Sequence, residues 1–187
     1  MNKHALLSFV REMIIVIMGI LIALSINTWN EHRKDRAYIN TALNAIEKEI
    51  QFNQTNLRDI LKRHELTRDS IQAHLQDDST SVEQFFHHIG GFQVAFTQDV
   101  AFRYFVSNRT NLIDFEVISL LSKIESMDHV LAKKVDKFIN LLYDHMESTK
   151  AQDKRKLLVY LNEIIESENG LMALYNAFLS RKPPPHN

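Results

Sequence analysis

The chain has 187 residues, with 22 Lys or Arg against 23 Asp or Glu, and contains no cysteine. That length suits one anchor plus one modest domain. The near-neutral charge excludes a global field that would draw the chain to nucleic acid. The missing cysteine excludes disulfides, thiolate metal sites and cysteine nucleophiles, though it does not separate cytoplasm from periplasm. Only four glycines and three prolines occur. A chain this poor in turn formers and rich in Leu, Ile, Glu, Lys, Gln and Ala is expected to be all-α.

The first twelve residues form a short leader with Lys3 and Arg11. Met13 to Trp29, MIIVIMGILIALSINTW, carries no charge and is long enough for a transmembrane helix. Arg11 can snorkel at one end, and Trp29 sits where an interfacial aromatic belongs. A secretory signal peptide cleaved near Ala23-Leu24-Ser25 is the competing reading. The helical pattern runs through that site without a break, which favours a spanning helix. Lys3 and Arg11 nearly balance Arg33, Lys34 and Arg36 under the positive-inside rule. The orientation adopted puts the N-terminus in the cytoplasm and the domain outside a bacterial inner membrane. Gly19 and Ala23 are four apart and Asn27 follows one turn later, the spacing of a face on which two membrane helices approach closely.

The block Gly19 to Arg36, GILIALSINTWNEHRKDR, resembles the start of a family of small, functionally uncharacterised bacterial membrane proteins. The matching residues are Glu12, Gly19 to Leu24, Asn27, Trp29, Asn30 and Glu31. A second stretch, Thr97 to Asp114, is similar to the family's helix followed by a Ser-x-x-x-Asn-Leu-Ile turn, with Asn108-Arg109-Thr110 where a glycine is usual. The resemblance implies a single-pass protein with a helical domain and supplies no catalytic residue.

Beyond the anchor, Ile39, Leu43, Ile46, Ile50, Leu57, Ile60 and Ile71 follow heptad spacing, predicting a stalk helix over 30–77. Asn53, His64, Thr67 and His74 fall on the same seam. Two readings stand: a parallel coiled coil registered by Asn53, or a seam packed on helices of its own chain. The polar seam positions and the apolar stripes further on favour the second.

A helical bundle is expected over 80–181. Thr80 with Glu83, or Ser81 with Gln84, can form a capping box. Gly90-Gly91 ends that short helix. Phe85, Phe86, Phe92, Phe96, Phe102, Tyr104, Phe105 and Phe115 are expected to build the core. Thr97 is read as the N-cap of the helix holding Phe102, and Asp128 as the N-cap of another. Residues 144–156 are either an exposed helix or a turn, with Lys150, Lys154, Arg155 and Lys156 as the local basic cluster. Gly170 marks a kink or a close approach in the last helix, and the proline-rich tail 182–187 is expected to be disordered.

No phosphate loop, nucleophile elbow or cofactor motif occurs. Glu83 with His87 and Glu125 with His129 are i,i+4 pairs that read as exposed helix residues rather than metal ligands. The expectation is a membrane-anchored scaffold or accessory subunit with no catalytic activity, metal or cofactor. Its partners would be the bilayer and either a second copy or another membrane protein. A sensor with a ligand pocket among the phenylalanines is the alternative, and a metal-dependent enzyme the third reading.

Overall fold

The structure, a computed structural model, describes residues 3–108 and 113–181. The expected turn at Arg109 to Leu112 and the proline-rich tail lie outside the described residues. All regular structure within them is helical: α1 (Lys3–Ala73), α2 (Val82–His88), α3 (Val100–Asn108), α4 (Phe115–Asp144) and α5 (Ala151–Leu179). The chain divides into two units, Met1–Leu43 and Asn44–Asn187. The apolar run and the seam belong to one uninterrupted helix of 71 residues, as the lack of any Gly or Pro between Gly19 and Gly90 allows.

In the second unit the end of α1 is antiparallel to α5. Gln54 meets Asn176 at 2.7 Å, His64 meets Glu168 at 2.8 Å, and Lys154 Nζ donates to His74 O at 3.4 Å. The α4 helix is antiparallel to α5 as well, through Lys134 to Ser167 at 2.9 Å and Met127 against Gly170. A Cβ on Gly170 would lie 3.5 Å from Met127 Cε, an ordinary contact, so neither a kink nor a close approach calls for the glycine, and α5 continues through it.

The remaining position is filled by residues 82–102. Phe86 and Phe92 pack on Phe138 with ring centroids 6.2 and 4.5 Å apart. Between α2 and α3, residues 91–99 have no regular structure and form a strap along α1. Its pairings descend α1 as they ascend the strap: His64 with Gln93, Asn56 with Phe96, Asn53 with Gln98 and Glu49 with Ala101. Between the levels of Asn53 and His64 a helix rises about 16 Å. The strap covers that height from Gln98 to Gln93 at roughly 3.3 Å per residue, a strand's rise.

Several local expectations change. The box on α2 is the Ser81–Gln84 pair, and Gly90 and Gly91 follow that helix with φ of 84° and 81°. Thr97 is not the N-cap of α3; Glu49 of α1 does that work, accepting from Ala101 N at 2.7 Å and Phe102 N at 3.3 Å. No helix starts at Asp128, because α4 runs through it from an N-cap at Asp114. Lys154 is buried, its ammonium donating to His74 O and Asp77 O just beyond α1, so it leaves the basic cluster. Phe85, Phe86, Phe102 and Phe105 are buried, but Phe96, Tyr104 and Phe115 are 63, 64 and 79 % exposed. Tyr104 lies two residues from Phe102, on the opposite side of α3. Phe115 opens α4 beside its cap, and Phe96 packs edge-to-face with Phe52, ring centroids 6.5 Å apart.

Phe138, fully buried between Phe86 and Phe92, is the keystone ring. Phe138→Ala is expected to cost about 3–5 kcal/mol, read as a lowered denaturation midpoint of the full chain in detergent.

Candidate functional site

Two regions carry unusual chemistry, one in each unit. The first is the apolar run of α1. Every large apolar side chain from Met13 to Trp29 is exposed, including Ile14, Ile15, Val16, Ile17, Ile20, Leu21, Ile22, Leu24 and Ile26. This helix is long and apolar enough to cross a membrane. The polar groups inside the run are satisfied locally: Ser25 Oγ donates to Leu21 O at 2.7 Å, and Asn27 Nδ2 to Glu31 Oε1 at 3.0 Å. At Gly19 a Cβ would meet nothing within 4 Å, so its own chain gives no reason for a glycine. Ala23 and Arg11 are exposed on the same helix. Trp29 is exposed too, with the Arg33 guanidinium 5.5 Å from its ring centroid.

The second region is the polar part of the seam. Ile46, Ile50, Asn53, Leu57 and Ile60 are buried by their own unit, while Ile39 and Leu43 in the first unit are half-buried. Asn53 clamps the strap at two points, donating to Gln98 O at 2.7 Å and accepting from Gln98 N at 2.8 Å. His74, the last polar residue placed on the seam, is exposed beside Phe85, with Nδ1 2.9 Å from Ser70 O.

His64 and Glu168 form a buried pair, each 1 % exposed, with Nδ1 2.8 Å from Oε1. His64 Nε2 lies 2.8 Å from Gln93 O and must carry a hydrogen to bond that carbonyl. Phe92 stacks on the imidazole at 4.6 Å and 3°. Glu168 Oε2 is buried with no hydrogen-bond partner among the described residues, an uncommon state for a buried polar atom. The sequence held a signal for this pair. Glu168 falls one turn after Ile164 and two after Leu161, on the apolar stripe of α5, as His64 falls on the seam of α1.

Between α1, α4 and the strap lies a cavity of about 40 Å³, lined among others by Asn53, Phe102, Glu125, Asp128, His129 and Tyr175. That space suits a few water molecules, and of the phenylalanines only Phe102 reaches it. Burial pushes the Asp128 carboxyl above its ordinary value, against a weak hydrogen bond from Thr97 at 3.4 Å. Burial, with Asp128 nearby, also pushes the Tyr175 phenol well up, so it stays protonated. Glu83 and His87 are exposed on α2, and His129 is exposed at the rim of the cavity. Among the described residues no three His, Asp or Glu gather as a metal site.

His64→Ala would leave Glu168 buried without its partner and free the strap at Gln93. A loss of about 3–5 kcal/mol is expected, and His64→Leu combined with Glu168→Leu should cost less than the single change; denaturation of the three proteins decides it. Asp128 gives a pH signature. Its folded-state proton affinity exceeds the unfolded one, so it lowers stability as pH rises through the folded value, with the full penalty at neutral pH. Asp128→Asn should therefore raise the thermal midpoint at pH 7, and the gain should vanish below about pH 3.8, the ordinary carboxyl value.

No curated protein and no solved structure matches the chain. Residues 12–135, which include the apolar run, the clamped strap and most of α4, match DUF6090. The chain belongs to that family, a family of unknown function.

Proposed function

We propose that this protein is a membrane-anchored helical scaffold or accessory subunit of a bacterial envelope complex, acting by association rather than catalysis. The observation that carries the reading is the helical run Met13–Trp29, whose large apolar side chains are all exposed. Such a surface is untenable in water and at home in lipid. From Arg11 to Trp29 the helix rises about 27 Å, close to the thickness of a hydrocarbon core. The inner membrane, with the soluble unit on its outer side, is the setting this reading adopts.

Association runs through Gly19, Ala23 and Asn27. A glycine inside a helix costs about 1 kcal/mol relative to alanine, and Gly19 touches nothing in its own chain that would need it. A neighbouring helix packed against this face supplies the need. The seam residues Ile46, Ile50, Asn53 and Leu57 are already covered within their own unit, so the membrane face, not the seam, is where a second copy would meet the first.

The absence of native cysteine makes the test clean. Ala23→Cys in oxidised membranes is expected to give a disulfide dimer, and adding Gly19→Leu should cut its yield several-fold. An unchanged yield in the double variant would refute the small-residue face.

A further inference from the structure

Just past the apolar run, α1 separates its arginines from its carboxylates, while Lys34 stands on the carboxylate side. Trp29, Arg33 and Arg36 stand at i, i+4 and i+7, so they form one stripe. His32 borders it, one turn from Trp29 and one turn short of Arg36. Asn27, Glu31 and Asp35 form a second stripe on the opposite side, where Glu31 is held by the Asn27 amide at 3.0 Å. The basic stripe is exposed along its length, and the Arg33 guanidinium stands 5.5 Å from the Trp29 ring centroid. An indole at the end of an apolar run marks the headgroup level, and a guanidinium one turn beyond it reaches the depth of lipid phosphates. Guanidinium pairs with a phosphate through two parallel hydrogen bonds, which an ammonium cannot imitate.

We infer that the Trp29–Arg33–Arg36 face is a docking surface for anionic phospholipid headgroups. The inference rests on the anchor reading above and specifies its lipid partner. Charge complementarity selects the occupant. The face offers arginines beside an interfacial aromatic, while the acidic residues of the same two turns lie on the other side. A zwitterionic headgroup answers such a face with its own cation as well as its phosphate, whereas phosphatidylglycerol brings uncompensated negative charge.

Trp29 is the sole tryptophan of the chain, so its fluorescence reports from the site itself. The full chain is reconstituted in phosphatidylcholine vesicles containing a minor, equal mole fraction of either brominated phosphatidylglycerol or brominated phosphatidylcholine. Stronger quenching by the brominated phosphatidylglycerol is expected, with a local enrichment on the order of fivefold for Arg33 that shrinks as salt is raised. Arg33→Gln with Arg36→Gln should equalise the two lipids while leaving quenching by brominated phosphatidylcholine intact. Equal quenching in the unaltered protein would overturn the headgroup inference and leave the anchor standing. An absence of quenching by either lipid would place Trp29 outside the bilayer and overturn both.

Discussion

The second unit is organised by a requirement to satisfy polar side chains that α1 buries. An amide at Asn53 and an imidazole at His64 sit among Ile46, Ile50, Leu57 and Ile60 on a packed face. Buried polar groups must find partners or lose the several hydrogen bonds water gave them. A neighbouring helix cannot serve with its backbone, since its amides and carbonyls bond one another along its own axis. Only a segment with free main-chain groups can. The strap is that segment: Gln98 offers both its N–H and its C=O to Asn53, and Gln93 offers its C=O to His64.

The same reasoning explains why irregular chain appears in the middle of an otherwise helical protein. The groove of α1 and α4 opposite α5 would take a helix in an ordinary four-helix bundle. Here the short helix α2 stops at two glycines in the left-handed region, which side-chain-bearing residues adopt at a cost. The chain then leaves in extended form, and helical structure resumes only where Glu49 can receive the first amides of α3. The far end is closed in a complementary way. Lys154 takes carbonyls just beyond α1, and the turn between α4 and α5 accepts the amides of Val82 and Glu83 through Ser148 and Met146. The first amides of α2 and α3 and the carbonyls just beyond α1 take partners from other elements, so these ends help to hold the bundle together alongside its apolar stripes.

The all-helical class, the long apolar run and its continuity with the seam were legible because they rest on apolar periodicity and on the missing Gly and Pro. The polar seam positions were legible as positions, but not in what they do. Heptad spacing gives Asn53 the same place whether it faces another Asn in a coiled coil or a backbone in its own domain. Thr97 and Asp128 were read as caps because each precedes an apolar stretch. In the fold Thr97 lies in the strap and Asp128 on the inner side of an unbroken α4, joined by one weak hydrogen bond. A cap supplied from a distant helix, as Glu49 supplies to α3, leaves no trace in local sequence. Glu168 was within reach of pattern reasoning, since a carboxylate on an apolar stripe needs a buried cation or donor, and His64 was the polar seam residue able to provide one.

The apolar run of α1 obeys the opposite economy. Its polar groups are few and answered within the helix, as Ser25 and Asn27 show, which is what a lipid surrounding demands of any backbone or side chain that could hydrogen-bond. Past Trp29 the helix separates its arginines from its carboxylates: Arg33 and Arg36 stand on the Trp29 side, and Glu31 and Asp35 stand opposite, with Lys34 beside Glu31. The i+4 series that begins at Gly19 turns about 40° around the axis at each step, so Asp35 stands about 160° around from Gly19 and the small residues do not share one face with both carboxylates. The lipid assignment therefore rests on the charges themselves: carboxylates turned toward lipid phosphates would be repelled, which leaves the indole and guanidinium side to lipid.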